Sequence, residues 1–299
     1  MTEPLSDDEA RAASGRPRAH VLGLPRLDRA LVMGVLNVTP DSFSDGGRYL
    51  ELDSALKHAR QLVADGADLV DVGGESTRPG ATRPTPEEEA ERVLPVVRAL
   101  AAEGVTVSVD TMRASVAQAA VEAGAVLVND VSGGRADPDM LPVVARLGTA
   151  YVVMHWRAHS ARMQQHADYE DVVGEVVAEL RVQLDAAVAA GIDPARVAVD
   201  PGIGFSKTAE QNWDVLAGVD RVHGLGHPVL VATSRKRFLG ALLADGEGRL
   251  RPPALREDAT TATSALAAFT GAWCIRTHSV RPTLDAVLVA RRWAGGGRD

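Results

Sequence analysis

The sequence contains a single cysteine, Cys274, among its 299 residues, which excludes an internal disulfide. We find no secretory signal in it and no uninterrupted apolar segment long enough to span a membrane. Chains without disulfides are typical of reducing compartments. The sequence therefore predicts a cytoplasmic protein.

Positive charge is also scarce in this chain. Its 32 basic residues are outnumbered by 40 acidic ones, and no basic run is long enough to form a patch for nucleic acid or anionic lipid. Neither a Gly-x-Gly-x-x-Gly pattern nor a Walker sequence is present, so no local motif favours a nucleotide-binding fold. We therefore expect small-molecule substrates as partners, with no nucleic acid and no membrane.

Short apolar runs, by contrast, alternate regularly with longer amphipathic stretches. The runs are Leu31–Leu36, Leu69–Val72, Val105–Val109, Val126–Val128, Ala150–Met154, Val197–Val199, Val229–Ala232 and Trp273–Ile275. Continuous apolar strands suit a parallel sheet buried on both faces, and eight strand–helix units in about 260 residues is the size of a (β/α)8 barrel. We predict an α/β fold with one TIM barrel over residues 21–299, a flexible N-terminal tail at residues 1–20 and a hairpin at Val21–Leu27 that plugs the bottom of the barrel.

Polar residues stand in or directly after these apolar runs. In chain order they are Asn37, Asp71, Asp110, Asn129, His155, Asp200, Ser234, and Arg276 with His278. Any one of them alone could cap a helix or satisfy a loop. A doubly wound sheet is the rival fold, but it would gather functional residues at one switch point. Polar residues after nearly every run favour a barrel, whose strand ends meet at one rim.

Two loops after the first two strands are rich in functional groups. The first, within GVLNVTPDSFSDGG at residues 34–47, follows the strand that ends near Asn37. The second, GGESTRPG at residues 73–80, contains paired glycines and a Pro-Gly step that allow hinge motion. Long loops at the carboxyl ends of buried strands usually carry function, so we predict that both loops close over a ligand.

The segment from Asn37 to Gly47 resembles the first signature of dihydropteroate synthases, and matching segments recur from Ala30 to about Ala290. The resemblance implies a TIM-barrel transferase of folate biosynthesis. Such an enzyme condenses (7,8-dihydropterin-6-yl)methyl diphosphate with p-aminobenzoate to 7,8-dihydropteroate and diphosphate. It also implies Mg²⁺ as the cofactor and sulfonamides as competitors of p-aminobenzoate.

The resemblance further implies which residues bind the pterin and which take part in catalysis. The pterin-binding residues are Asp110, Asn129, Met154, Asp200 and Lys236. Carboxylates and an amide suit a heterocycle with an amidine-like edge, and a lysine can donate to a ring carbonyl or nitrogen. The catalytic residues implied are Asp45, Arg78, Asp110, Asp200 and Lys236.

The remaining implied residues bind the diphosphate and the arylamine. Those for the diphosphate are Asn37, Thr77, Arg276 and His278, with Asn37 also reaching Mg²⁺. The family usually has Asp after this histidine, whereas this chain has Ser279. Those for p-aminobenzoate are Thr77, Arg78, Pro79, Phe205, Lys236 and Arg237, the last at the start of a helix whose free N–H groups favour a carboxylate.

Two other functions stay open on the sequence alone, a pterin-dependent methyltransferase domain and a catalytically inactive pterin-binding paralogue. The histidines His155, His159 and His166 do not predict zinc, because no cysteine or carboxylate completes a recognisable ligand pattern. The Ala- and Val-rich stretches Asp258–Thr270 and Pro282–Arg292 predict helices that form a homodimer face.

Overall fold

Strands and helices alternate along the chain in the computed structural model, which describes residues 20–38, 48–75, 83–158 and 163–295. The strands are β1 (Leu31–Asn37), β2 (Leu69–Gly73), β3 (Val107–Asp110), β4 (Leu127–Asp130), β5 (Ala150–Met154), β6 (Val197–Asp200), β7 (Leu230–Val231) and β8 (Cys274–Thr277). The helices are α1 (Arg48–Ala64), α2 (Pro86–Ala102), α3 (Ala114–Glu122), α4 (Met140–Leu147), α5 (Val172–Ala189), α6 (Ala209–Ala217), α7 (Val219–His223), α8 (Arg237–Leu242), α9 (Glu257–Phe269) and α10 (Val280–Trp293). Short 3-10 turns lie at Met163–His166, Pro194–Arg196 and Pro253–Leu255.

The strands pair in parallel, in the order β6-β5-β4-β3-β2-β1-β8-β7. Val199 in β6 also pairs in parallel with Val229, the residue before β7, so the two ends of the sheet meet. Helices follow the strands and pack around them. The strands thus form a nearly closed barrel, which confirms the predicted (β/α)8 fold.

Successive residues of each strand contribute to two separate hydrophobic cores. In β1, Leu31 and Met33 belong to the core inside the barrel, whereas Val32 and Leu36 belong to the core between barrel and helices. Both faces of the strand are buried, which explains why its sequence is apolar without polar alternation. Apolar side chains such as Leu127 fill most of the interior, and charged side chains such as Asp110 and Asp200 lie at the carboxyl ends of the strands.

Several strands extend one residue beyond the predicted apolar run and include the polar residue after it. Asn37, Asp110 and Asp200 are the last residues of β1, β3 and β6. Their backbones are held by the sheet, so these side chains start from fixed positions. No helix among the residues that the structure describes is long and apolar enough to cross a membrane.

The predicted hairpin at Val21–Leu27 is wrong, since residues 20–30 form turns and no strand. Gly23 has a left-handed φ of 92°, and Pro25 has no N–H to donate to a strand ladder. The predicted plug is nevertheless present, because Val21 and Leu24 are buried in the core inside the barrel. The Leu22 N–H donates to Ala195 O at 2.8 Å and ties the segment to the bottom of the barrel.

Candidate active site

Polar side chains from four strands meet at the carboxyl end of the barrel. Arg276 in β8 donates through Nε to Asp71 Oδ2 and through Nη2 to Asp110 Oδ2, both at 2.6 Å. Asn129 in β4 donates through Nδ2 to the same Asp71 oxygen at 2.9 Å. One guanidinium therefore joins β8 to carboxylates of β2 and β3 and holds the mouth together.

Two buried carboxylates share one guanidinium in this cluster. Burial raises the pKa of Asp110 to about 7, and the charge of Asp71 adds to the rise although Arg276 opposes it. Burial alone would lower the pKa of Arg276, but both carboxylates raise it above its ordinary value. Arg276 is therefore always charged, and near neutral pH Asp110 lies close to the balance between its protonated and ionised forms.

A second charged group at the mouth comes from the ends of β6 and β7. Asp200 is buried, and its Oδ1 accepts the Gly202 N–H at 2.7 Å. Burial raises its pKa above the ordinary value, against the charge of Lys236. Lys236 donates to the Ile203 carbonyl and lies over the Phe205 ring at 4.9 Å. Burial lowers the pKa of Lys236 to about 8, with the charge of Asp200 acting in the opposite direction.

His278 lies just after β8, where Ser234 holds it in place. The Ser234 hydroxyl oxygen accepts the His278 backbone N–H at 3.1 Å and lies 2.9 Å from Nδ1. In the contact with Nδ1 either the hydroxyl or the ring nitrogen can donate, because a serine oxygen has two lone pairs beside its own proton. The orientation of His278 therefore does not depend on an aspartate at position 279.

Strand register places four rim positions side by side. Asn37 pairs with Gly73, Gly73 with Asp110, and Asp110 with Asn129. Met154 pairs with Asp200 on the other side of the mouth. The barrel thus offers one concave end lined by carboxylates, amides and cations from many strands. Such an arrangement suits a polar heterocycle and an anion bound next to each other.

Comparisons with known proteins agree with this geometry. The family described as pterin binding enzyme matches residues 33–278. Dihydropteroate synthase of Mycobacterium leprae is 55% identical over 267 residues, which are 89% of this chain and 94% of that protein. The chain belongs to the dihydropteroate synthase family.

Solved structures of dihydropteroate synthases share the fold. The Xanthomonas albilineans enzyme in complex with 7,8-dihydropteroate superposes with a TM-score of 0.80 and 42% identity, covering 93% of this chain and 98% of that one. The Yersinia pestis enzyme in complex with a sulfonamide drug superposes with a TM-score of 0.85 and 39% identity, covering 94% of this chain and 100% of that one. Both chains are covered almost completely, so this chain is a transferase of the dihydropteroate synthase type.

The structure brings some predicted site residues into direct contact and leaves others apart. Asp110 contacts Arg276, and Lys236 contacts the Phe205 ring. The charges of these two groups act on each other, since both Asp110 and Arg276 affect the pKa of Lys236. Arg237 is exposed as the first residue of α8. The predicted residues Asp45, Thr77, Arg78 and Pro79 lie outside the described residues.

Sequence reasoning missed the role of Asp71 in this dihydropteroate synthase. The sequence marks Asp71 only as a polar residue within an apolar run, yet it is fully buried and accepts hydrogen bonds from both Arg276 and Asn129. A signal was available, because a charged residue in the middle of the apolar run Leu69–Gly73 must have a buried partner. Ser234 was also noted without its function of orienting His278.

The described residues contain no group of three or more His, Cys, Asp or Glu side chains that could hold a metal ion. Asn37 is partly exposed at the rim and offers one amide oxygen. Magnesium usually keeps several waters and takes one or two protein ligands beside substrate phosphates. A single amide oxygen at the rim is therefore compatible with Mg²⁺ that arrives with a substrate phosphate.

The burial of Asp110 predicts a pH-dependent effect of Asp110→Asn on stability. The folded-state pKa of Asp110 is about 7, above its ordinary value of 3.8, so its contribution to stability is present below about pH 4 and lost as pH rises through 7. The amide cannot lose a proton. The unfolding free energy of the variant relative to wild type should therefore rise by up to about 1.4 kcal/mol per pH unit between these values.

Urea unfolding of the ligand-free proteins at several pH values between 4.5 and 8 measures this difference. A difference that stays constant with pH would show that Asp110 is ionised throughout, and that Arg276 compensates both carboxylates.

Proposed function

We propose that the barrel mouth joins the pterin CH₂ carbon of (7,8-dihydropterin-6-yl)methyl diphosphate to the amine of p-aminobenzoate and releases diphosphate. The observation that supports this reaction is the pairing of two charged groups at one mouth, Arg276 with Asp110 and Lys236 with Asp200. In this proposal Arg276 faces the departing diphosphate, and Asp200 with Lys236 faces the pterin ring. Family membership supplies the identity of the substrates.

The pterin ring lies, in this proposal, between Asp110, Asn129, Met154, Asp200 and Lys236. The Asn129 Nδ2 is already used by Asp71, so its amide oxygen is the atom left to accept from a pterin N–H. Asp200 is held rigidly by the Gly202 N–H and presents an acceptor to the amidine-like edge. Lys236 can exchange its bond with the Ile203 carbonyl for one with a ring atom.

The diphosphate binds next to this ring, at Arg276, His278, Asn37 and Thr77. Two nitrogens of Arg276 are engaged by carboxylates, whereas Nη1 makes no hydrogen bond with the described residues and can donate to a phosphate oxygen. Mg²⁺, held by the substrate and Asn37, would neutralise charge on the diphosphate. These residues stabilise the departing group, and the two carboxylates near the ring favour positive charge that develops on the pterin.

The arylamine approaches from the side of Phe205 and Lys236, with Arg237 near its carboxylate. The amine is itself the nucleophile, so the reaction needs no covalent enzyme intermediate and gains chiefly from holding the two substrates close. By family resemblance we assign Thr77, Arg78 and Pro79 to the same pocket. We assign Asp45 and Arg78 to the closed, reactive state. These four residues lie outside the part of the chain that the structure describes.

The experiment that tests the function combines purified protein, Mg²⁺, the pterin diphosphate and p-aminobenzoate. We expect dihydropteroate and diphosphate in equal amounts, and weaker binding of the pterin diphosphate in calorimetry when Mg²⁺ is chelated. Pterin binding without diphosphate release would instead identify an inactive paralogue. Methyl transfer from a pterin would identify a methyltransferase domain.

Two single variants test the division of the site between pterin and arylamine. Asp200→Asn should weaken pterin binding about ten- to hundredfold, because a pterin donor then faces an amide N–H at a cost of roughly 1–3 kcal/mol. Phe205→Leu should weaken p-aminobenzoate binding and sulfonamide competition more than pterin binding. Calorimetry with each ligand measures both effects. Similar losses for both ligands in either variant would contradict the division.

We also propose that two copies of the chain associate through α9 and α10. These helices pack against each other and expose Leu266 at 64%, Val289 at 62% and Trp293 at 81% of their surface. A dimer would cover this patch, which is unusually apolar for a solvated surface. Light scattering should give a dimer mass for wild type and a monomer mass for Leu266→Asp combined with Val289→Asp.

The matched control for the dimer is Val182→Asp, which changes an equally exposed valine on α5. The control should keep the dimer mass. A monomeric wild type at micromolar concentration would exclude this interface.

A cytoplasmic location is consistent with the chemistry of Cys274, which is free and buried among the described residues. A chain that needs no disulfide is suited to a reducing compartment. We propose that the enzyme acts there, and fractionation of cells that produce it provides the test.

A further inference from the structure

The loop that carries Phe205 contains an unusual concentration of left-handed backbone. Gly202, Gly204 and Ser206 have φ values of 68°, 83° and 48°. The left-handed conformation of Ser206 is energetically unfavourable, because it brings the Cβ atom of any residue other than glycine too close to the backbone. A loop with this backbone keeps one shape only if other parts of the protein hold it. The position of the Phe205 ring therefore depends on what holds the loop.

Lys207, at the end of this loop, binds the loop backbone through two hydrogen bonds. Its side chain is 3% exposed, and Nζ lies 3.1 Å from Gly202 O, 3.2 Å from Phe205 O and 3.0 Å from His155 Nδ1. Burial lowers the pKa of Lys207 to about 7, and in its ammonium form each of the three N–H groups has its own acceptor. Lys207 thus clamps two carbonyls of the loop, one of them belonging to Phe205, and has no proton left for a substrate.

His155 can accept from Lys207 because Glu179 sets its tautomer. His155 is fully buried, and its Nε2 lies 3.0 Å from Glu179 Oε2. Burial lowers the pKa of His155 to about 4, and the charge of Lys207 adds to the effect, so the ring is neutral near pH 7. Its single proton then lies on Nε2, facing the carboxylate, and Nδ1 is free to accept. Arg157 donates to Glu179 at 3.0 Å and fixes it in turn.

The opposite side of the loop is in contact with the pterin part of the site. Lys236 donates to Ile203 O and lies over the Phe205 ring. Asn212 accepts the Gly204 N–H through Oδ1 at 2.5 Å. If Lys207 released its two carbonyls, Phe205 would lose its support. Asp200 accepts the N–H of Gly202, but its own backbone would stay in β6. The consequence should therefore fall much more on the arylamine than on the pterin.

We propose that Lys207 is a positioning residue that places Phe205 for the arylamine, and that His155 and Glu179 position Lys207 for this task. This inference rests on the proposed function, because it assigns Phe205 to the p-aminobenzoate pocket. None of the three residues contacts the substrates. Their effect reaches the reaction through the carbonyls of Gly202 and Phe205.

The test measures KM for p-aminobenzoate and Kd for the pterin diphosphate in Lys207→Met, which keeps the apolar stem and removes the donors. We expect KM for p-aminobenzoate to rise about tenfold, the loss that follows from one or two hydrogen bonds, with Kd for the pterin diphosphate changed less than about twofold. Tyr151→Phe is the control for general destabilisation, because it removes a buried hydrogen bond to Asp130 and none to the loop. The control should leave both constants unchanged.

A second pair of variants keeps the test informative if Lys207→Met does not fold. Glu179 is partly exposed, so its replacement is tolerated more easily. Glu179→Ala should raise KM for p-aminobenzoate about threefold, and Glu179→Gln, whose amide oxygen still accepts from Nε2, should restore it. A merely structural role would not give this difference between alanine and glutamine.

Several outcomes would overturn the proposal. They are an unchanged KM in the Lys207 and Glu179→Ala variants, equal losses of both ligands, or the same rise in Tyr151→Phe. If the wild-type protein forms no dihydropteroate, the proposed function fails as a whole. If it does form dihydropteroate but the variants show no separation of the two ligands, only the inference about Lys207 fails.

Discussion

The mouth of the barrel depends on one constraint, the two salt bridges that Arg276 forms with Asp71 and Asp110. In the sheet order, β1 lies between β8 and β2, so this side chain reaches past a neighbouring strand. Loss of either carboxylate would leave a buried charge with half its compensation, which is costly in a low-dielectric interior. The same contact gathers two carboxylates around one guanidinium beside the residues assigned to the pterin. The same salt bridges therefore hold the strand ends together and set the charge of the site.

The two halves of the site differ in how they are built. The residues assigned to the pterin are mostly the last residues of strands, such as Asp110, Met154 and Asp200, and the sheet holds them. Phe205, assigned to the arylamine, and Lys236, assigned to both ligands, stand on loops that are held by side-chain bonds to backbone carbonyls. Strands give precise placement, whereas loops accept changes more readily. The residues assigned to the ring are thus fixed by the sheet, whereas Phe205 depends on contacts of its loop.

The sequence predicted the fold well because continuous apolar runs have few alternatives when helical stretches separate them. It predicted the rim residues because polar side chains after such runs must collect at one end of a barrel. It did not predict the burial of Lys207 or its contacts with the loop. Nothing in the local sequence before α6 distinguishes a buried lysine from a solvated one. The role of Asp71 depends on a partner 205 residues away, and the hairpin failed because turn residues override short apolar alternation. What was missed in each case is a contact between distant segments.

Cys274 shows a further consequence of the filled barrel. Its thiol lies in the interior core, fully buried, in a strand paired with both β1 and β7. Burial also raises its pKa well above the ordinary value, so it presents almost no thiolate, the form that reacts with thiol reagents. A reagent can reach it only when β8 separates from its neighbours. The rate at which a thiol reagent labels Cys274 therefore reports how often the barrel opens.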